Sequence, residues 1–273
     1  MPDSIQFSRL KILARDTTLV DTSGFVLERG EITVLVGASG SGKTLTARSL
    51  IGLVHTDPGV VASDLCFNQD GKTLKPYESD YTPKQREKAF HSIRGDIVGY
   101  LPQDARASLN PVWNVGRQVE RCARLGQRPE PPEYWLEKAG FSDPGRVCGL
   151  YAHELSGGMA QRASIALALA RGSKFLIADE PTTGLDPTVQ AKILDELRQL
   201  RTVGVGILLI THDLRIVPQI ADHLLVMDGG TVVEKSPTVK PSDLQTSAGR
   251  KLWTSTQRIA GATTASPTPE AHQ

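Results

Sequence analysis

Short apolar runs punctuate the chain, each closed by a polar loop and followed by a helical pattern. Ile32–Val36 runs into Gly37, Phe175–Ala178 into Asp179, and Val205–Ile210 into Thr211 and His212. Their apolar character is continuous rather than alternating, which predicts strands buried on both faces and therefore a parallel sheet in an α/β fold. Function in such sheets collects at the carboxyl ends of the strands, and these three runs end there in polar residues. Two Asp-Gly pairs, Asp70-Gly71 and Asp228-Gly229, lie between strand-like segments and predict hairpins. An antiparallel portion is therefore expected beside the parallel core. From Ala105 to about Leu155, Pro129, Pro131 and Pro132 separate pieces that look helical, which predicts a small helical subdomain inserted into the core. The tail from about Gly261 is rich in Ala, Thr, Pro and Ser and is expected to be disordered.

Gly37-Ala38-Ser39-Gly40-Ser41-Gly42-Lys43-Thr44 fits G-x-x-x-x-G-K-[ST], with a strand before it and an apolar helical stretch, Leu45–Leu53, after it. Glycines let the backbone curl until successive N–H groups point at phosphate oxygens. The helix N-terminus adds its positive dipole end. In this pattern Lys43 reaches the β- and γ-phosphates, and the Thr44 hydroxyl is a ligand for Mg²⁺. The loop alone does not choose between kinases, GTPases and ATPases.

Phe175-Leu176-Ile177-Ala178-Asp179-Glu180 is an apolar strand ending in two acids. Asp179 suits the magnesium-linked carboxylate of P-loop enzymes, and Glu180 is placed to polarise an attacking water as general base. Gln103 follows another strand-like run, Ile97–Leu101, where a neutral amide can touch both Mg²⁺ and water. His212 closes the Val205–Ile210 run, where an imidazole can donate to a γ-phosphate. Taken singly, Gln103 also suits an ordinary loop and His212 an ordinary structural position. Leu155-Ser156-Gly157-Gly158-Met159 precedes Ala163–Ala170, which is apolar on nearly every face and so reads as a buried helix. Ser156 and the two glycines make a second helix N-terminus with free N–H groups. Two phosphate cradles in one chain suggest that two chains share each ATP.

Composition narrows the partners. The 273 residues suffice for one large domain or a core with a subdomain attached. Net charge is +1, from 31 basic and 30 acidic side chains, which gives no electrostatic reason to expect nucleic acid. No apolar run approaches the ~18 residues that cross a bilayer, and Met1–Asp16 lacks the apolar stretch of a secretion signal. A cytoplasmic chain that meets membranes only through other proteins is expected. Cys66, Cys122 and Cys148 lie far apart without metal-ligand spacing, so free thiols are expected.

With Gly37–Thr44, Gln103, Leu155–Met159, Asp179-Glu180, Gly184-Leu185-Asp186 and His212 in this order, the sequence resembles the nucleotide-binding subunits of ATP-binding cassette (ABC) transporters, from about Ile5 to Lys235. The resemblance implies a P-loop NTPase (RecA-like) parallel-sheet core with an antiparallel β subdomain and an inserted helical subdomain. It implies an ATP-binding domain over residues 1–238, helical at about 105–155, and a C-terminal extension over 239–273. By the same resemblance Leu155–Met159 is the signature, and Ser156 and Gly158 would contact the γ-phosphate of an ATP held by the P-loop of an opposing subunit. Gly184–Asp186 looks like the loop that crosses the dimer interface. Glu180, His212 and Gln103 would form the catalytic group. Gly37–Thr44, Leu155, Ser156, Gly157, Gly158 and Asp186 would bind ATP, and Thr44, Gln103 and Asp179 would hold Mg²⁺.

Finer features resemble the peptide/nickel importer branch: Gln103-Asp104 followed by Ala107-Ser108-Leu109-Asn110-Pro111, Met159 in the signature, and Glu180–Asp186 followed by Thr188-Val189-Gln190-Ala191. The compact N-terminus and lack of extra domains are most similar to its nickel-type member. That implies a peripheral ATPase on the cytoplasmic face of the inner membrane, importing peptides, nickel or metal chelates. Its partners would be a second ABC ATPase, two integral membrane permeases and an extracytoplasmic solute-binding protein. Three departures stand out. No aromatic residue lies in Leu10–Asp16, where this family stacks one on adenine; Leu13, Ala14 and the Arg15 guanidinium are the candidates, with Phe7 too early. Met159 replaces the commoner glutamine, and the tail from Ser242 to Gln273 lacks the cysteine cluster of some peptide-importing members.

Overall fold

The computed structural model describes residues 3–236 and 240–264. Its centre is a six-stranded sheet. In spatial order the strands are Thr231–Ser236, His223–Asp228, Ile32–Val36, Gly206–Thr211, Phe175–Asp179 and Val98–Leu101. All neighbours are parallel except the first pair, an antiparallel hairpin.

The continuous apolar runs have a direct structural cause. Ile32, Val34 and Val36 enter one core together with Leu176, Ala178, Ile207 and Leu209. The intervening Leu35, Phe175, Ile177, Leu208 and Ile210 enter a second core on the opposite face. Successive side chains point to opposite faces, so a strand covered on both sides must be apolar at every position. Helices cover the first face, chiefly Gly157–Arg171, Pro187–Thr202 and Val115–Leu125. Helix Lys43–Ser49, helix Pro83–Ile93 and two smaller antiparallel sheets cover the second.

Between residues 105 and 154 the described elements are all helical. Three of these helices begin on a polar cap: Asp104 accepts from Ala107 N, Asn114 from Arg117 N and Asp143 from Arg146 N, each satisfying an otherwise unpaired donor. Pro131 and Pro132 do not simply interrupt this region; they sit at the N-cap and first position of helix Pro132–Lys138, where a missing N–H costs nothing.

Three expectations are corrected. The stretch after the phosphate loop is helical only over Lys43–Ser49, because Leu50–Gly52 turns to bring Gly52 beneath the Phe90 ring. The second hairpin turns at Gly229-Gly230, one residue beyond the expected pair, with φ values of 51° and 82°. Asp228 is the last strand residue and pairs with Thr231. The first hairpin is as expected: Gln69 pairs with Lys72 around Asp70-Gly71. Lastly, helix Ser247–Thr264 runs through Gly261 to Thr264, where disorder was expected; residues 265–273 of that tail lie outside the described residues. Leu244 is buried in the main core, and Leu252 and Trp253 pack against it, so this part of the C-terminal extension is tied to the sheet. The three cysteines are free thiols, as expected.

Candidate active site

Parallel register gathers the chemistry. Val36 pairs with Thr211, Ile210 with Asp179 and Ala178 with Leu101. The residues just past these partners, Gly37, His212, Glu180 and Gln103, therefore emerge together along one carboxyl edge. A cleft of about 510 Å³ lies there, lined by Ser39, Gly40, Gly42, Lys43, Thr44, Leu45, Gln103, Glu180 and His212.

The phosphate loop is braced from behind. Gly230 N donates to Ser41 O and Asp21 N donates to Gly230 O, so the hairpin turn and an antiparallel strand buttress the loop. Gly42 has φ 103° at the helix start, and a Cβ there would come within 2.9 Å of Met227 Cε. Lys43 is 5% exposed, and its ammonium donates to the carbonyls of Gly37 and Ala38, each at 2.9 Å. Burial lowers the Lys43 pKa, with the negative charges of Glu180 and Asp179 opposing that shift. Ser41 Oγ is buried and has no hydrogen-bond partner among the described residues, an orphaned polar atom within a loop suited to anions.

Asp179 is 3% exposed. Thr44 Oγ1 donates to its Oδ1 at 3.0 Å, and Tyr100 OH donates to its Oδ2 at 3.0 Å. A hydroxyl beside a carboxylate is a set of hard oxygen donors, the chemistry that Mg²⁺ takes when phosphates complete its shell. Glu180 has φ 50°, uncommon for a side chain of its type. That strain is held by its N–H, which donates to Ile210 O at 3.0 Å, and it turns the side chain out of the strand line toward the cleft. There Glu180 Oε2 lies 3.2 Å from His212 Nδ1 and accepts from Thr183 Oγ1 at 2.9 Å.

The second group of candidates lies elsewhere. Leu155, Ser156, Gly157, Gly158 and Asp186 do not line the cleft. Ser156 caps helix Gly157–Arg171 by accepting from Met159 N at 3.2 Å. Ser156 and Gly157 are exposed, whereas Gly158 is buried so tightly that a Cβ would lie 2.4 Å from Val189 Cγ1. Asp186 caps helix Pro187–Thr202, accepting from Thr188 N and Val189 N at 3.1 Å each. Two contacts tie the signature segment to the Gln103 loop: Gln161 Nε2 donates to Gln103 O at 3.3 Å, and Arg106 donates to Leu155 O. None of Leu13, Ala14 and Arg15 lines the cleft, and Phe7 is buried edge-on against Phe25 at 4.8 Å between ring centres.

Sequence reasoning missed Tyr100, Thr183, Gln161 and the Gly229-Gly230 brace. Tyr100 and Thr183 carried a local cue, since each stands within three residues of an identified candidate. Gln161 also stands three residues from Gly158, but its contact with Gln103, like the brace, joins distant segments, which no short motif records.

Comparison with known proteins bears on the family and the fold. The family model described as ABC transporter matches residues 20–183. A Brucella abortus (strain 2308) protein named for peptide import and ATP binding is 39% identical over 233 residues, 82% of this chain and 67% of that protein. The oligopeptide transport ATP-binding protein OppD of Bacillus subtilis is 38% identical over 219 residues, 77% of this chain and 58% of its own length. Among solved structures, cbiO1 of Clostridium perfringens superposes with a TM-score of 0.68 at 23% identity, covering 96% of this chain and 95% of that one. A dimeric ATP-binding cassette described as a post-hydrolysis state with ADP and Pi gives 0.66 at 20% identity, over 85% and 97% of the two chains. At these identities the structural matches speak to the fold.

Proposed function

This chain belongs to the ABC transporter family, and from that membership we propose that it is the ATP-hydrolysing subunit of an importer that takes up peptides. The observation that carries the reading is the convergence of Lys43, Thr44, Gln103, Glu180 and His212 on one cleft, with Thr44 Oγ1 also 3.0 Å from the buried Asp179 carboxylate. In this reading the loop Gly37–Thr44 wraps the triphosphate with backbone N–H groups, and the Lys43 ammonium exchanges its two loop carbonyls for phosphate oxygens. Thr44 and Asp179, with Gln103, would hold Mg²⁺, which would supply charge neutralisation at the phosphates. Glu180 accepts the proton of the attacking water, and His212 orients Glu180 and donates toward the γ-phosphate.

The signature acts from another subunit. Ser156 and Gly157 are exposed and absent from this chain's own cleft, which supports a head-to-tail dimer with a second ABC ATPase, each signature closing on the opposing P-loop. Asp186 belongs to the crossing loop at that interface, its carboxylate holding the helix start in shape. Residues 1–238 form the ATP-binding domain, helical at about 105–155, and 239–273 an extension. No helix among the described residues is long and apolar enough to cross a membrane, so two permeases would carry the pathway and a solute-binding protein would deliver cargo. The chain would sit on the cytoplasmic face of the inner membrane.

The names of the relatives favour peptide cargo. The motif around Gln103–Pro111, which resembles the peptide/nickel branch as a whole, keeps nickel or a metal chelate as the second candidate. The test is to purify the tagged chain from membranes. Two integral membrane proteins should co-purify, and the complex should hydrolyse ATP faster when a solute-binding protein delivers peptide. A chain that hydrolyses ATP but captures no membrane protein would sink the importer reading.

A further inference from the structure

Asp179 is a buried carboxylate with each oxygen held by a different hydroxyl. Thr44 Oγ1 takes Oδ1 and Tyr100 OH takes Oδ2, both at 3.0 Å. Tyr100 is itself engaged: Arg48 Nε lies 3.4 Å from its phenol oxygen. A guanidinium can only donate, so the phenol accepts from Arg48 and sends its single hydrogen to Asp179. The chain of donors runs one way, from Arg48 through Tyr100 to Asp179.

This relay joins three elements. Arg48 stands on the helix that opens at Lys43, Tyr100 on strand Val98–Leu101 and Asp179 at the end of strand Phe175–Asp179. Tyr100 pairs in register with Ile177, two residues before Asp179, so its side chain and that of Asp179 rise on the same sheet face. Tyr100 also lies three residues before Gln103, the next polar group along the same edge.

We propose that Tyr100 is a positioning residue for the divalent cation: its phenol, oriented by Arg48, pins one oxygen of Asp179 and presents the other on the side of Thr44. The inference rests on the reading of Asp179 as the magnesium-linked carboxylate. Groups that hold a metal's ligands typically contribute ~10–100-fold in metal affinity. Tyr100→Phe removes only the hydroxyl and keeps the ring that packs against the second core.

The test uses Mn²⁺ as the probe, titrated into the full chain with a nonhydrolysable ATP analogue and followed by electron paramagnetic resonance of the free ion. Tyr100→Phe should raise the half-saturating Mn²⁺ concentration about tenfold, while affinity for the analogue in EDTA stays at the wild-type value. Arg48→Met, which leaves the phenol and its ring intact, should shift Mn²⁺ binding in the same direction by a smaller factor. Wild-type Mn²⁺ affinity in both variants overturns the proposal, as does an equal loss of analogue binding in EDTA. Asp179→Asn separates the two claims. If it weakens Mn²⁺ binding while Tyr100→Phe does not, only the role of Tyr100 fails; if Asp179→Asn binds Mn²⁺ normally, the underlying assignment of Asp179 fails as well.

Discussion

His212 Nδ1 lies 3.2 Å from Glu180 Oε2, joining the residue just past strand Gly206–Thr211 to the residue just past strand Phe175–Asp179. The two strands are neighbours, paired with Asp179 opposite Ile210, so the contact follows from register. Thr183 Oγ1 reaches the same carboxylate oxygen at 2.9 Å. Glu180 is thus held by two partners through one carboxylate oxygen, in a backbone conformation few glutamates adopt.

Glu180→Gln keeps the shape of this arrangement and removes its basicity. ATP binding should be retained and turnover should fall by ~10²–10⁴, the usual share of a general base. Turnover at the wild-type rate in a single-turnover assay would put the base elsewhere. Thr183→Val should lower turnover by roughly tenfold through loss of one charge-assisted hydrogen bond, with nucleotide affinity unchanged, and Thr183→Ser should recover most of it.

Lys43→Ala should abolish ATP binding in a nucleotide titration. The side chain is buried and donates to two carbonyls of its own loop, so truncation also removes that donor from both, although Ala38 O still accepts from Ser41 N. Undiminished affinity would remove the phosphate-loop assignment.

Ser156→Arg should block ATP-driven dimerisation while the monomer still binds ATP. Because Ser156 also caps its helix, the comparison needs Ser156→Ala, which removes the cap at a cost of about 1 kcal/mol without adding bulk. Dimerisation by gel filtration should survive in the alanine variant and fail in the arginine variant. An arginine variant that still dimerises with ATP would rule out the signature as an inter-subunit contact.

A pH dependence is expected from Glu196, on helix Pro187–Thr202. Burial pushes its carboxyl up to about 7, against the nearby positive charges of Arg162 and Lys192, while Asp195 adds to the rise. Arg162 Nε lies 3.8 Å away and makes no hydrogen bond to it. A native pKa above the unfolded one means the folded chain holds the extra proton. The stabilising contribution is therefore complete below the unfolded value near 4.5 and is lost as pH rises through about 7. Thermal unfolding should show wild type losing on the order of 2 kcal/mol between pH 5 and pH 8 from this group. Glu196→Gln should flatten that portion of the profile; an unaltered slope would show that the carboxyl is charged throughout.

Much of this protein is legible in its sequence because much of it is local. A strand covered on both faces must be apolar throughout, so Ile32–Val36, Phe175–Ala178 and Val205–Ile210 announce a parallel sheet before any contact is known. The phosphate loop is likewise a contiguous run whose glycines and lysine imply their own chemistry, and Asp179-Glu180 is adjacent in the chain. Distance along the chain hides the rest. That Gln103, Glu180 and His212 share one edge comes from the pairing of Leu101 with Ala178 and of Asp179 with Ile210, a register set by both cores at once. The hairpin turn moved from Asp228-Gly229 to Gly229-Gly230 because strand pairing places Asp228 opposite Thr231, and a tight turn needs positive φ at both intervening residues, which glycine adopts freely. The relay from Arg48 through Tyr100 to Asp179 joins residues 48, 100 and 179. Short-range patterns encode backbone conformation and burial, whereas the partner of a polar side chain is chosen only when packing brings distant segments within hydrogen-bonding reach.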